Sequence, residues 1–163
     1  TRAHELSPAK QTILFELGIN AQNRGNDAEA LRYFKQAYEL ALEFSSARIY
    51  YAAYAIRLKQ DQLADELLAP IMKSGAAGDP RIANAYVERG RYDKIVSIWK
   101  ARAAAYPNDP QTRYTLAVAL YVIGDSRQAI AQLEDLVRLA PDAKTQVDSL
   151  IEQMRSGTAN VAP

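Results

Sequence analysis

The residues able to do chemistry are few and scattered. The lone histidine, His4, stands without a second ligand or relay partner near it in sequence, and one imidazole makes neither a metal site nor a proton shuttle. Glu134 and Asp135 are adjacent, so on a helix they do not face each other as an acid–base pair would. Glu134 and Arg138 are spaced to form a surface ion pair. The stretch from Gly75 to Gly78 superficially resembles a phosphate loop, but no lysine followed by serine or threonine comes after it. There is no cysteine, hence no disulfide framework and no thiolate. No catalytic residue, cofactor site or metal site is expected, and the chain reads as a non-enzyme. Trp99 and the ten tyrosines are the remaining candidates, and their spacing points to packing.

The elements that would position these residues repeat. From Gly18, the chain meets Gly25 after seven residues, Ala30 after five, Phe34 after four and Ala37 after three. From Ala117 the same offsets reach Gly124, Ala129, Leu133 and Leu136, and Pro141 follows. Laid on Ala83, they reach Gly90, Ile95, Trp99, Arg102 and Pro107. Laid on Ala52, they reach Lys59, Ala64, Leu68 and Ile71. Gly25 to Lys59 and Gly90 to Gly124 are each 34 residues, while Lys59 to Gly90 is 31. Small residues let paired helices approach. Glycine suits the end of the first helix, proline stops the second, and Asp79-Pro80 and Asp109-Pro110 read as N-cap followed by first-turn proline. Trp99 occupies the large wedge position and is expected to be buried.

This pattern resembles the tetratricopeptide repeat, a helix–turn–helix unit of about 34 residues. The resemblance implies an all-α fold, a right-handed superhelical solenoid of antiparallel helix pairs. The expected divisions are the end of a preceding repeat (1–10), repeats at 11–44, 45–75, 76–109 and 110–143, a capping helix (144–156) and a frayed tail (157–163). Residues 74–78 would connect the short step to a helix starting near Pro80. Three positions depart from the pattern: Lys59 for the turn glycine, Ile95 for a small residue and Arg102 for alanine. The chain starts at Thr1, in mid-repeat, which suggests the downstream part of a longer array or larger protein.

The bulk properties are ordinary for a soluble globular protein. The 163 residues are 48% hydrophobic and 24% charged, with net charge +1. No basic stripe marks a nucleic-acid partner. The longest predominantly apolar run, Tyr114 to Ile123, is ten residues, about half of the roughly 20 that span a bilayer. These features assign no compartment.

In the family, first helices of successive repeats line a groove that takes peptides or helices. A second apolar stripe beyond the packing stripe is expected to face it: Phe15 and Ile19, then Ile49, Ala53 and Ile56, then Asn84 and Val87, then Tyr114, Val118, Tyr121 and Val122, with Arg57 and Glu88 as its few charges. Where carboxylate-clamping relatives carry lysine, arginine and asparagine, this chain has Thr12, Glu16, Ser46, Tyr50, Gln111 and Thr115, with Asn84 alone matching. Three occupants of the groove stay open: a protein or peptide partner, the chain's own terminal helix, or a second copy. A further alternative is a structural appendage of a larger envelope or surface-polysaccharide protein, since Ala85 to Lys94 is similar to tails found after polytopic polymerases and ligases.

Overall fold

The computed structural model describes residues 2–40, 45–72 and 76–161. Among them are nine α-helices and three short 3-10 turns, with no strand. The chain divides into two compact units, residues 1–71 with 79–89, and residues 72–78 with 90–163.

The first unit contains α1 (Arg2–Asn23), α2 (Asp27–Leu40), α3 (Ser45–Arg57), α4 (Asp61–Leu68) and α5 (Pro80–Glu88). α1 packs on α2, α2 on α3, and α3 on both α4 and α5. Gly18 of α1 is where the first pair touches. A Cβ there would lie 2.6 Å from Phe34 Cε1, so only glycine admits the ring. Phe34 is fully buried between Ala30 and Ala37 and joins Phe15, Tyr50 and Tyr54 in a cluster with ring centroids 4.7–5.4 Å apart. α3 is buried on most of its surface, from Tyr51 through Ile56 without interruption, because α2, α4 and α5 all pack on it. Two arginines fasten the later helices. Arg57 makes two 2.9 Å hydrogen bonds to the Glu88 carboxylate, and Arg89 donates to the Ile56 carbonyl at 3.1 Å and to Asp61.

The second unit contains α6 (Tyr92–Ala105), α7 (Pro110–Val122), α8 (Ser126–Leu139) and α9 (Lys144–Ser156). Its core runs through Ile95, Ile98, Leu116, Leu120, Leu133 and Leu136, and α9 adds Val147, Ile151 and Met154. Asp109 caps α7: its carboxylate accepts from the Gln111 amide at 3.1 Å and from Thr112 Oγ1 at 2.5 Å. Thr112 is fully buried and also accepts from Arg102 Nε at 3.0 Å. Arg102 thus stands where alanine is usual because it satisfies a buried hydroxyl.

The turns between paired helices share one geometry. Gly25, Lys59, Gly90 and Gly124 all have positive φ, from 61° to 86°. At Gly25, Lys59 and Gly124 the two backbone bonds of a Schellman motif close the helix, as in Gln60 N to Ala55 O at 2.8 Å and Lys59 N to Ile56 O at 3.0 Å. Lys59 adopts the left-handed conformation despite carrying a Cβ.

Several expectations need correction. Trp99 is only partly buried; Arg102 and Tyr106 lie beside it, with the guanidinium carbon 5.6 Å from the indole. α1 runs unbroken through Pro8, so no helix boundary falls there. Proline removes one donor, and the flanking Ala3, Glu5, Leu6, Ala9 and Lys10 are strong helix formers. Arg138 pairs with Asp135 rather than Glu134, and Asp135 also lies 3.9 Å from Arg113. The tail does not fray at once: Gly157 closes α9 at φ 71°, and the Thr158 and Ala159 amides bond to the Gln153 carbonyl. Of the expected connector, Ser74 and Gly75 lie outside the described residues; Ala76–Gly78 form a 3-10 turn.

Candidate interaction surfaces

In the first unit the expected groove residues separate by burial. Ile49, Ala53 and Ile56 are in the core. Phe15, Ile19, Arg57 and Val87 are partly buried, and Asn84 is exposed. The pocket on the face of α1, α3 and α5 is small, about 170 Å³, and lined by Gln22, Tyr50, Ala53, Tyr54, Arg57, Arg81 and Asn84. Only Ala53, Arg57 and Asn84 of the expected set border it. Its lining is more polar than apolar, which departs from the apolar groove anticipated. Much of that polarity is answered internally. Arg57 bonds to Glu88 and reaches the Tyr54 hydroxyl at 3.2 Å. Burial pushes the Tyr54 phenol up, opposed by the neighbouring Arg57. Arg81 stacks 4.7 Å above Tyr50 and pairs with Asp79 at 2.9 Å. Gln22 Oε1 is buried with no hydrogen-bond partner among the described residues.

In the second unit Val118 is in the core, Tyr121 and Val122 are partly buried, and Tyr114 is 39% exposed. A cleft of about 580 Å³ opens beside Tyr114. One wall is the start of α7, with Pro110, Gln111 and Tyr114. The other is α9, with Gln146, Val147, Leu150 and Gln153. Leu136, Ala140 and Ala143 form its end, and Asn160 and Val161 border it. Its lining is predominantly apolar, and every polar side chain in it except Tyr114 is an amide. Val118, Tyr121 and Val122 do not reach it.

Sequence reasoning missed the α9 half of this cleft. Residues 144–156 were expected only as a capping helix, yet Leu150 is less buried than Val147, Ile151 and Met154 of the same apolar stripe. Its place at the edge of that stripe was the available signal. Gln22 and Arg81 were missed because polar residues on a packed helix carry no periodicity. Among the described residues no group of three or more His, Asp or Glu converges as a metal site would require, and no helix is long and apolar enough to cross a membrane.

No curated protein matches the sequence. Among solved structures, the crystal structure of MamA protein is similar, with a TM-score of 0.54 and 15% identity over 98% of this chain and 82% of that one. That likeness concerns the fold. Residues 91–150 match the tetratricopeptide repeat family model, spanning α6 through the first half of α9. That match lies within the second unit, and together with the fold likeness it supports a tetratricopeptide-type helical-repeat architecture.

Proposed function

We propose that this interaction scaffold seats an extended peptide from a partner protein in the cleft between α7 and α9. The observation that carries the reading is the composition of that cleft: an apolar floor of Leu136, Val147 and Leu150, an exposed tyrosine, and a rim of Gln111, Gln146, Gln153 and Asn160. An amide side chain both donates and accepts, so it can pair with peptide backbone whatever the local charge. Tyr114 offers a rigid ring with a polar tip, the kind of side chain enriched at interfaces. One apolar side chain of the peptide would fill the floor. The proposed role is binding without turnover.

Selection from a displayed peptide library tests this. The wild-type chain should enrich sequences with a recurrent apolar anchor, and Tyr114→Ala and Leu150→Glu should each abolish the enrichment while circular dichroism stays helical. Enrichment that survives both substitutions would contradict the reading. Ile49→Glu is unsuitable as a test, since Ile49 is 8% exposed and a buried charge would unfold the unit.

A second reading is favoured by one observation: Asn160 and Val161 of the chain itself border the cleft. Here the segment after α9 competes for the site. Truncation after Thr158 would then strengthen peptide capture, whereas under the first reading it leaves capture unchanged or slightly weaker.

A further inference from the structure

Charge on α9 is sorted by face. Gln146, Leu150 and Gln153 line the cleft and fall within about 60° of one another around a helix of 3.6 residues per turn. The four charged residues of α9, Lys144, Asp148, Glu152 and Arg155, centre on the opposite side of the helix. There they pair among themselves, Lys144 with Asp148 at 2.6 Å and Arg155 with Glu152 at 2.7 Å. The facing wall, from the start of α7, presents Pro110, Gln111 and Tyr114. Asp109, next to that wall in sequence, caps α7 and lies 3.7 Å from Arg102. Neither it nor Asp142, beside Ala143, lines the cleft.

The cleft thus offers an incoming chain amides, one phenol and an apolar floor, but no counter-charge of either sign. A carboxylate or an ammonium group entering it gives up hydration and gains no ionic partner, which is costly. A neutral side chain meets no such penalty. Rejecting wrong partners in this way is as effective a source of specificity as attracting the right one. In an extended peptide successive side chains point to opposite faces. The apolar anchor and the residues two places before and after it therefore enter the cleft, while the residues next to the anchor point to water.

We propose that the α7–α9 cleft selects its peptide by excluding charge of both signs at every second position, the anchor and the residues two places either side of it. The inference rests on the peptide reading and names the class of segment taken: uncharged on one face and free in charge on the other.

Selection from a displayed random-peptide library, followed by binding of a selected synthetic peptide, tests it. Enriched sequences should lack lysine, arginine, aspartate and glutamate at the cleft-facing positions and tolerate them at the alternate ones. Placing lysine or glutamate two residues from the anchor should each weaken binding on the order of tenfold or more. Binding of the uncharged peptide should change little with added salt, since no exposed ion pair forms for salt to screen. Gln146 is exposed, so its replacement leaves the fold intact: Gln146→Glu should recover the lysine peptide and Gln146→Lys the glutamate peptide. Enrichment that depends on Tyr114 and Leu150 yet carries charge at the cleft-facing positions would overturn the exclusion and leave the peptide reading standing. Rejection of one sign only would overturn it as well. A library that enriches nothing would remove the peptide reading and this inference together.

Discussion

The pocket on the face of α1, α3 and α5 and the cleft between α7 and α9 lie against helices of the same repeat type, yet they differ in what they leave unanswered. In the first, Arg57 is held by Glu88 and Tyr54, and Arg81 by Asp79 and the Tyr50 ring. A ligand arriving there must compete with ion pairs already made. In the second, no ion pair closes the cleft among the described residues; apart from Tyr114 its polar side chains are amides, and its floor is apolar. Expelling water from apolar surface favours an incoming side chain, and the amides hold donors and acceptors for a backbone. The cores differ as well. The first unit is locked by a fully buried ring against a glycine, while the largest side chain of α6, Trp99, is only partly buried in the second.

That contrast can be broken most forcefully at the aromatic residues. Phe34→Ala should lower stability by roughly 3–5 kcal/mol, the cost of a buried aromatic cavity. Trp99→Ala should cost only about 1–2 kcal/mol, because less area leaves the interior. Urea unfolding of both variants checks the pair, and equal losses would erase the distinction.

A smaller effect separates the helix caps. Asp109→Ala should cost about 1 kcal/mol, as loss of an N-cap does, and it also leaves buried Thr112 with one partner fewer. The hydrogen bond from Thr112, aided by the Gln111 amide, holds the Asp109 carboxyl below the usual carboxylate range. A depressed folded-state pKa contributes stability above the unfolded value, and that contribution is lost as pH falls through the folded one. Acid titration of stability should therefore fall less steeply in Asp109→Ala than in the wild type.

The smallest effect compares equivalent turns. Lys59→Gly should stabilise by about 1 kcal/mol, since it removes a Cβ from a left-handed residue. Gly124→Ala should destabilise by a similar amount. Thermal melts of the two variants should move in opposite directions; shifts of the same sign would contradict a shared turn geometry.

The helix pairs were legible because small residues and turn glycines recur at fixed offsets, and those offsets report backbone approach and positive φ directly. Even Lys59 kept its place in that register. The groove was less legible. A second apolar stripe was expected to face a groove, but α3 is packed by three neighbours, so Ile49, Ala53 and Ile56 serve packing on more than one side. Val118 is consumed in the same way. Periodicity counts apolar faces and does not count the helices that come to cover them. Tyr114 remained accessible, and the residues opposite it came from a helix that looked like a simple cap.

The central claim is that the α7–α9 cleft, rather than the α1–α3–α5 pocket, takes the ligand. Amide chemical-shift mapping of a library-selected peptide on the isotope-labelled chain tests it most directly. The predicted perturbations centre on Gln111, Tyr114, Gln146, Leu150 and Gln153, with residues around Tyr50 and Arg81 unmoved. Perturbations centred on Tyr50, Arg81 and Asn84, with Tyr114 silent, would contradict it.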